Sequence, residues 1–481
     1  MVFVIKGGKV VDYKSLLKHK NKIMKKALKI NYDKFEEEGI SFNYDMMMKK
    51  AAYSIEEIRK IQKETKVGNT PLIELKNLTK VVRALSAPGK GARIFIKDEA
   101  TNPSGSFKDR RASVAVYYAK KKGYKGVVAA TSGNYGAAVA SQANMRGLKS
   151  IIVQEVFDSR GYGQPEILVK SRKCEAYGAE VLQLSVGPEL FGVLLWVIED
   201  TGFFNASLYT PFAIAGIETL GYEIAAELKK EEGKNPDAVI ITNAGGGNLT
   251  GTARGLIKAG SQSTKIIASS VNLSGLHMAS DHDFNRKSFT TGHTGFGIPF
   301  ATWPDRTDVP RNAARMLRYM DRYVTVTQGE VFYMTEALAQ LEGMERGPAG
   351  NISLAAAFSI AQEMEKDEII VVQETEYTGA GKHPIAQITF ARENGIIVKI
   401  GNPKDEMPGE SIIIPESPEM IKAKDLDINK LRKSYIGNVV ERNKLKNVSK
   451  LEVKFLIEET RFNMNSVICI LKDLGVKMRE S

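Results

Sequence analysis

The sequence predicts an α/β protein whose parallel sheets are covered on both faces. Three observations carry this. From Gly68 onward, short β-branched and apolar runs alternate with longer stretches of helical periodicity. The runs are apolar along their length, as in strands buried on both sides. The loops from run to helix are rich in Gly, Ser, Thr and Asn, at the carboxyl ends of strands where such folds bind ligands.

Residues 1–66 read as an N-terminal extension. Phe3-Val4-Ile5 and Val10-Val11 flank Gly7-Gly8, a hairpin signal. From Tyr13, residues Leu16, Leu17, Ile23, Met24, Ala27 and Leu28 recur at helical spacing. A second helix is expected over Ser54–Lys66, opened by Ser54 as N-cap with Glu56 and Glu57 in its first turn. No residue here suggests chemistry, so packing or assembly is the expected role.

The core follows. Strands are expected at Val127–Ala129, Ile151–Val153, Val181–Leu184, Ala238–Ile241 and Ile369–Val372, and helices at Arg111–Lys122, Tyr135–Arg146 and Ile217–Glu232. Four loops stand out. In the first, Ile94-Phe95-Ile96 gives way to the turn Asn102-Pro103-Ser104-Gly105. Ser106 stands as an N-cap, with Asp109 three residues on as a partial capping box. Lys108 then lies at a helix start, where the backbone dipole and burial lower an amine's pKa. A neutral amine condenses with aldehydes. A surface lysine on a first helical turn explains the same residues equally well.

The second loop, Ala129–Gly136, passes through Thr131, Ser132, Gly133, Asn134 and Tyr135 into a helix. Its N–H groups and polar side chains suit a carboxylate, although an ordinary N-cap turn has the same composition. Ser104, Thr131, Ser132, Gly133 and Tyr135 are the candidate substrate-binding residues. The third loop, Thr242–Leu249, contains Gly245-Gly246-Gly247, which can close several N–H groups around an anion. It lacks the Gly-Lys-Ser/Thr ending of a nucleotide loop and the G-x-G-x-x-G spacing, which points to a phosphate monoester; a plain tight turn is the alternative. In the fourth, Val371–Lys382, an apolar run ends in hydroxyls and glycines, so one hydroxyl could meet a ring nitrogen of whatever the glycine loop holds, although an ordinary strand-to-loop exit explains the same residues better.

Composition excludes several classes. The chain has 481 residues, enough for two or three domains, with 43% hydrophobic and 26% charged residues. The longest apolar run, Leu190–Ile198, is too short to span a bilayer, and no secretory signal precedes the fold; a cytoplasmic protein is expected. Two cysteines argue against disulfides and thiolate metal sites, and the five histidines show no metal-ligand spacing. The net charge of +12 lacks any nucleic-acid module, so a lysine-rich solvated surface, then a polyanionic substrate or acidic partner, is the expected reading.

Taken in order, Gly68-Asn69-Thr70-Pro71-Leu72, Asn102–Arg110, Thr131–Asn134, Tyr177-Gly178-Ala179-Glu180 and Gly245–Asn248 resemble the fold-type II pyridoxal-phosphate enzymes, the threonine synthase and tryptophan synthase β-subunit group. The resemblance runs over about residues 67–400; each piece is loose, and five in order are specific. It implies two doubly wound open-sheet domains with pyridoxal 5'-phosphate in the cleft between them. The catalytic core would be 67–414, with a smaller subdomain, roughly 109–215, inserted in the larger. Lys108 would hold the cofactor as an internal aldimine, and Asn134 would face its ring hydroxyl. Gly245, Gly246, Gly247, Asn248 and Leu249 would cradle its phosphate. The hydroxyl of Thr378, or of Thr375, would face the pyridine nitrogen and leave it unprotonated, which favours chemistry at Cβ and Cγ.

Within this group, the lysine-rich extension, Gly245–Leu249, Glu374–His383 and the segment past Ile414 are similar to the thiolase β subunits of ornithine degradation. That similarity implies acyl transfer: cleavage of 2-amino-4-oxopentanoate by coenzyme A to acetyl-CoA and alanine, beside a smaller α subunit, in an assembly containing a β-subunit dimer. Lys108, released by the substrate's amine, would remove the Cα proton. A thiolate adding to the C4 ketone would expel the C3 carbanion and leave an acetyl thioester. Coenzyme A is polyanionic, which accommodates the positive charge. The alternatives are β/γ-elimination or replacement, as in threonine synthase or diaminopropionate ammonia-lyase, and, from another class, a non-catalytic scaffold.

Cys174 lies in a helical stretch away from the loops and is expected to be buried and inert, leaving coenzyme A itself as the attacking thiol. His293 and His383 lie in glycine-rich loops, where a structural role is favoured over acid–base work. Residues 415–481 read as a separate C-terminal segment, regulatory or subunit-binding. Its helical run over Leu451–Leu474 is interrupted by a turn at Asn463-Met464-Asn465-Ser466.

Overall fold

The computed structural model describes residues 2–5, 8–51, 53–131, 133–157, 161–163, 165–185, 189–273, 288–290, 301–305, 309–377 and 383–479. Two open sheets are built from β1 (Leu72–Glu74), β2 (Arg93–Asp98), β3 (Gly126–Thr131), β4 (Lys149–Phe157), β5 (Glu180–Ser185), β6 (Phe204–Asn205), β7 (Ala238–Thr242), β8 (Lys265–Val271), β9 (Arg322–Val326), β10 (Ile369–Glu374) and β11 (Lys424–Asp425). The larger sheet runs β11-β9-β8-β7-β10-β2-β1 and is parallel except for its two edge strands. The smaller runs β5-β4-β3-β6, all parallel.

Alternation along the central strands shows why they read as continuous apolar runs. Phe95, Val239, Ile241 and Val371 enter one core cluster, while Ile94, Ile96, Ala238, Ile240, Ile370 and Val372 enter the other. Each neighbour thus points to the opposite face, and both faces are covered. The first cluster also receives Val127, Ile152 and Val153 of the smaller sheet, so the two sheets share a core.

Six helices position the loops: α1 (Lys108–Lys121), α2 (Asn134–Met145), α3 (Pro165–Ala176), α4 (Pro211–Glu232), α5 (Gly247–Lys258) and α6 (Pro348–Ala361). The expected helices at 111, 135 and 217 start one to six residues earlier in the fold. For α4 the reason is local: Thr210 accepts from the Ala213 N–H as N-cap, and Pro211 occupies the first helical position, where its missing N–H costs nothing. A Cβ at Gly216 would strike the Arg110 carbonyl, and one at Gly221 the Thr252 carbonyl. Those two glycines let α4 pack directly on the backbones of α1 and α5.

The extension forms the hairpin Val2–Ile5/Lys9–Asp12 and helices Tyr13–Lys18, Lys20–Leu28 and Ile55–Lys63. The last is opened by a full capping box between Ser54 and Glu57 and stops short of the expected Lys66, which takes a left-handed φ of 57°. Leu16, Ile23, Met24 and Leu28 enter the first core cluster.

Beyond Pro415 the chain is tied to the large sheet. β11 extends its edge, Glu459 pairs with Arg315 (3.3 Å) and Arg318 (2.8 Å), and Leu431, Tyr435 and Leu456 join the same cluster. The helical run breaks at Arg461–Asn463, not across Asn463–Ser466: Asn463 is the N-cap of Met464–Asp473, accepting from the Ser466 N–H. The asparagine marks a turn, but the residues after it already satisfy helical geometry.

Candidate functional site

Loops leaving β2, β3, β7 and β10 converge at the carboxyl edges of the two sheets. The link between the first and last is backbone pairing. The Phe107 N–H donates to the Thr375 carbonyl (3.1 Å), the Tyr377 N–H to the Gly105 carbonyl (2.8 Å), and Ser106 bridges Glu376. Gly105 makes this possible with a φ of +76°.

Lys108 is the first residue of α1 and is half-buried, its Nζ 4.3 Å from the Phe107 ring centroid. Burial first, then the Arg111 cation, push its amine well below the usual lysine range, against the opposing pull of Glu376. The expected capping box does not form. The residue before the helix is Phe107, in αR geometry with no side-chain cap, and the Ser106 hydroxyl only accepts the Lys108 N–H at 3.3 Å. Asp109 turns instead to Ser104, accepting from its N–H and its hydroxyl at 2.7 Å each, because the tight turn at Gly105 brings Ser104 back over the first helical turn. Burial raises Asp109 to about 6.

A buried network explains the motifs that flank Lys108. The Arg110 guanidinium meets Glu99 (2.7 and 2.8 Å), Glu223 (2.7 and 3.0 Å), Thr70 and Thr219. Thr70 donates to Glu99 at 2.6 Å, the Asn69 N–H to Glu223 at 3.2 Å, and the Gly68 N–H to Asn102 at 3.0 Å. Gly68-Asn69-Thr70 and Asn102–Arg110, far apart in sequence, are one brace holding the lysine's helix against α4.

Asn134 opens α2, and its amide donates to the Glu376 carboxylate, which faces Lys170 of α3 at 3.6 Å. Burial would lower the Lys170 amine, but Glu166 and Glu376 outweigh it and keep it raised. Lys173, one turn on, donates to the Ser104 carbonyl at 2.6 Å. Glu374, two residues before Glu376, is fully buried. Burial first, then Asp98 and Glu376, push its carboxyl well above the usual carboxylate range, against the pull of Arg346.

The glycine loop has the geometry of an anion cradle. Gly246 is left-handed (φ +77°) and caps α5 with no side chain on its first N–H groups. A Cβ at Gly245 would strike the Tyr209 hydroxyl, and one at Gly247 the Arg111 guanidinium. The buried Asn248 amide nitrogen has no partner among the described residues. An uncapped helix start, a free amide donor and a nearby cation together suit a phosphate.

Of the other expected residues, Thr131 is buried and accepts the Gly133 N–H (3.1 Å), and the buried Tyr135 donates its hydroxyl to the Ala206 carbonyl (2.7 Å). Leu249 is buried within α5, and Thr375 is buried beside Glu374. Ser132, His293 and Thr378 lie outside the described residues, as does the His383 side chain. Cys174 is buried, and burial pushes its thiol up to about 12, unsuited to nucleophilic work.

A family profile described as "Pyridoxal-phosphate dependent enzyme" matches residues 63–376. The chain belongs to the pyridoxal-phosphate dependent enzymes. Two relatives named 2-amino-4-ketopentanoate thiolase beta subunit match this family member along nearly its whole length. One, from an unknown prokaryotic organism, is 63% identical over 98% of this chain and 100% of its own. The other, from Acetoanaerobium sticklandii, is 64% identical over 97% and 99%. Among solved structures, a pyridoxal 5'-phosphate-dependent aspartate racemase superposes with a TM-score of 0.55 at 18% identity, covering 68% of this chain and 96% of its own, a likeness of fold. The residues present fit the family's cofactor: an amine of lowered basicity for its aldehyde, and the glycine cradle with its unpaired Asn248 donor for its phosphate.

Sequence reasoning passed over Glu376, Lys170, Arg111 and Glu374. Three had a legible signal. Arg111 stands three residues from Lys108, on the same side of a helix. Glu374 and Glu376 alternate at the end of an apolar strand, which places both on one face. Lys170 and Glu166 carry none beyond a four-residue spacing that ordinary surface pairs share.

Proposed function

We propose that the chain is the catalytic β subunit of a thiolase that cleaves 2-amino-4-oxopentanoate with coenzyme A to acetyl-CoA and alanine, in ornithine breakdown. The observation that carries this is identity of 63% along 98% of the chain to a relative bearing that name. The Lys108 amine would hold the cofactor's aldehyde and, once free of it, would carry the proton at the substrate's Cα. The Asn134 amide would face the ring hydroxyl, the N–H groups of Gly245–Leu249 would hold the phosphate, and Thr378, or Thr375, would face the pyridine nitrogen. Ser104, Thr131, Ser132, Gly133 and Tyr135 are assigned to the substrate's end of the site. When bound, pyridoxal phosphate supplies a sink for the electron pair released on the substrate.

Coenzyme A is the thiol in this reading, because Cys174 is buried and of high pKa. Its sulfur adds to the C4 carbonyl, the C3–C4 bond breaks, acetyl leaves as the thioester, and C3 takes a proton to become the methyl of alanine. Glu376 with Lys170, close enough to act on the Lys108 amine, supplies carboxylate and ammonium groups for that proton. A smaller α subunit completes the enzyme, the β subunit pairs with a second copy, and the assembly works in the cytoplasm. Among the described residues no helix is long and apolar enough to cross a membrane.

The test is direct. The purified chain, with and without its small partner subunit, is given 2-amino-4-oxopentanoate and coenzyme A, and acetyl-CoA is measured. Lys108→Ala should abolish both product and the near-visible absorbance of bound cofactor. No acetyl-CoA under either condition would refute the thiolase reading.

A further inference from the structure

Arg110 and Arg111 are adjacent, both buried, and electrostatically opposite. Arg110 is ringed by Glu99 and Glu223, which hold its guanidinium charged and raised against burial. Arg111 has no carboxylate partner among the described residues. Its guanidinium lies 5.6 Å from the Phe107 ring centroid, and Nη1 makes a long bond, 3.4 Å, to the Leu208 carbonyl. Its Nε has no partner among the described residues. Burial pulls it down to about 10, with only the hydroxyls of Tyr209 and Tyr135 opposing.

A buried guanidinium without a counter-ion is costly, and folds retain one only where an anion completes it. The position of Arg111 says which anion. Its guanidinium lies against Gly247, the first residue of α5, where any side chain would collide with it. On the same loop, Gly245 abuts the Tyr209 hydroxyl and Asn248 presents an unpaired amide nitrogen. The uncapped start of α5, the Asn248 amide and the Arg111 guanidinium therefore sit on one loop, and no carboxylate among the described residues pairs with that guanidinium.

We propose that Arg111 is the cationic member of the phosphate cradle, its guanidinium bonding the cofactor's phosphate dianion opposite the N–H groups of Gly245–Leu249. A glycine loop alone offers partial charges from amides and a helix terminus, whereas a guanidinium adds a full charge and forked donors that match a phosphate face. The assignment rests on the chain being a pyridoxal-phosphate enzyme.

The test compares two aldehydes that differ only in the phosphate. Equilibrium constants for pyridoxal 5'-phosphate and pyridoxal are read from the absorbance each gives with the cofactor-stripped full chain. Their ratio isolates the phosphate's contribution, because any effect on Lys108 is common to both. In Arg111→Met the ratio should fall about 10- to 100-fold, the range for losing a charge-assisted bond, and Arg111→Lys should recover part of it. Arg111→Gln, a shorter side chain that keeps an N–H donor without the charge, gives the same reading if the methionine variant does not fold. Inorganic phosphate should raise the melting temperature of the wild-type stripped chain and not of the methionine or glutamine variant. Equal losses for both aldehydes, or an unchanged ratio, overturn the assignment and leave the cofactor reading standing. A wild-type chain that takes up neither aldehyde overturns both.

Discussion

Replacing Glu223 with glutamine removes one side of the brace behind Lys108 without changing its size. Burial alone would raise this carboxyl, but Arg110 and Lys97 hold it down at about 2, against a usual value of 4.5. With each pH unit worth about 1.4 kcal/mol, the ionised form contributes roughly 3 kcal/mol to stability at neutral pH. The sign follows from a depressed folded-state value: the contribution is complete above 4.5 and is lost as pH falls through about 2. At pH 3.5 about 2 kcal/mol of it should survive. Urea unfolding of wild type and Glu223→Gln should therefore differ by roughly 3 kcal/mol at pH 6, a gap narrowing by about 1 kcal/mol at pH 3.5. A gap below about 1 kcal/mol at pH 6, within the range of an exposed pair, or one that ignores pH, would refute the claim that Arg110 depends on this carboxylate.

Four further outcomes are expected. A thiol reagent should modify the exposed Cys469 in the folded chain and reach Cys174 only after denaturant, and Cys174→Ser should leave acetyl-CoA formation within a few-fold of wild type. Gly245→Ala should weaken cofactor uptake at least about tenfold, since its methyl meets the Tyr209 hydroxyl; unchanged uptake by absorbance titration would remove that loop from the cradle. Glu376→Gln should shift the pH midpoint for capture of pyridoxal by Lys108 downward, because that carboxylate is what supports the ammonium form; an upward shift would contradict the geometry. Deleting residues 416–481 should give insoluble protein, because it strips the edge strand β11 and uncovers core residues around Arg315; a monodisperse, folded product would show the segment to be dispensable.

The apolar runs at 238–241 and 369–372 identified central strands because residues buried on both faces need no polar alternation. Gly245–Gly247 was legible as an anion loop because only glycine tolerates the approach of Tyr209 and Arg111. The capping box at Ser106 failed because Asp109 had a nearer donor pair in Ser104, which a short-range pattern does not reveal. The C-terminal segment read as separate because pairing between Lys424–Asp425 and β9 links residues about a hundred apart.

By itself, the sequence determined the alternating α/β architecture, and it singled out Lys108, Asn134 at the start of α2 and the glycine loop as candidates. Each depends on local chemistry: periodicity, backbone freedom, or a side chain at a helix start. Only the tertiary structure decided which charges meet. It paired Arg110 with Glu99 and Glu223, placed its neighbour Arg111 beside the glycine loop with no carboxylate partner among the described residues, and set Glu376 between Asn134 and Lys170. Those outcomes depend on burial and on distances between distant segments, and a charge's meaning is fixed by what shares its low-dielectric surroundings.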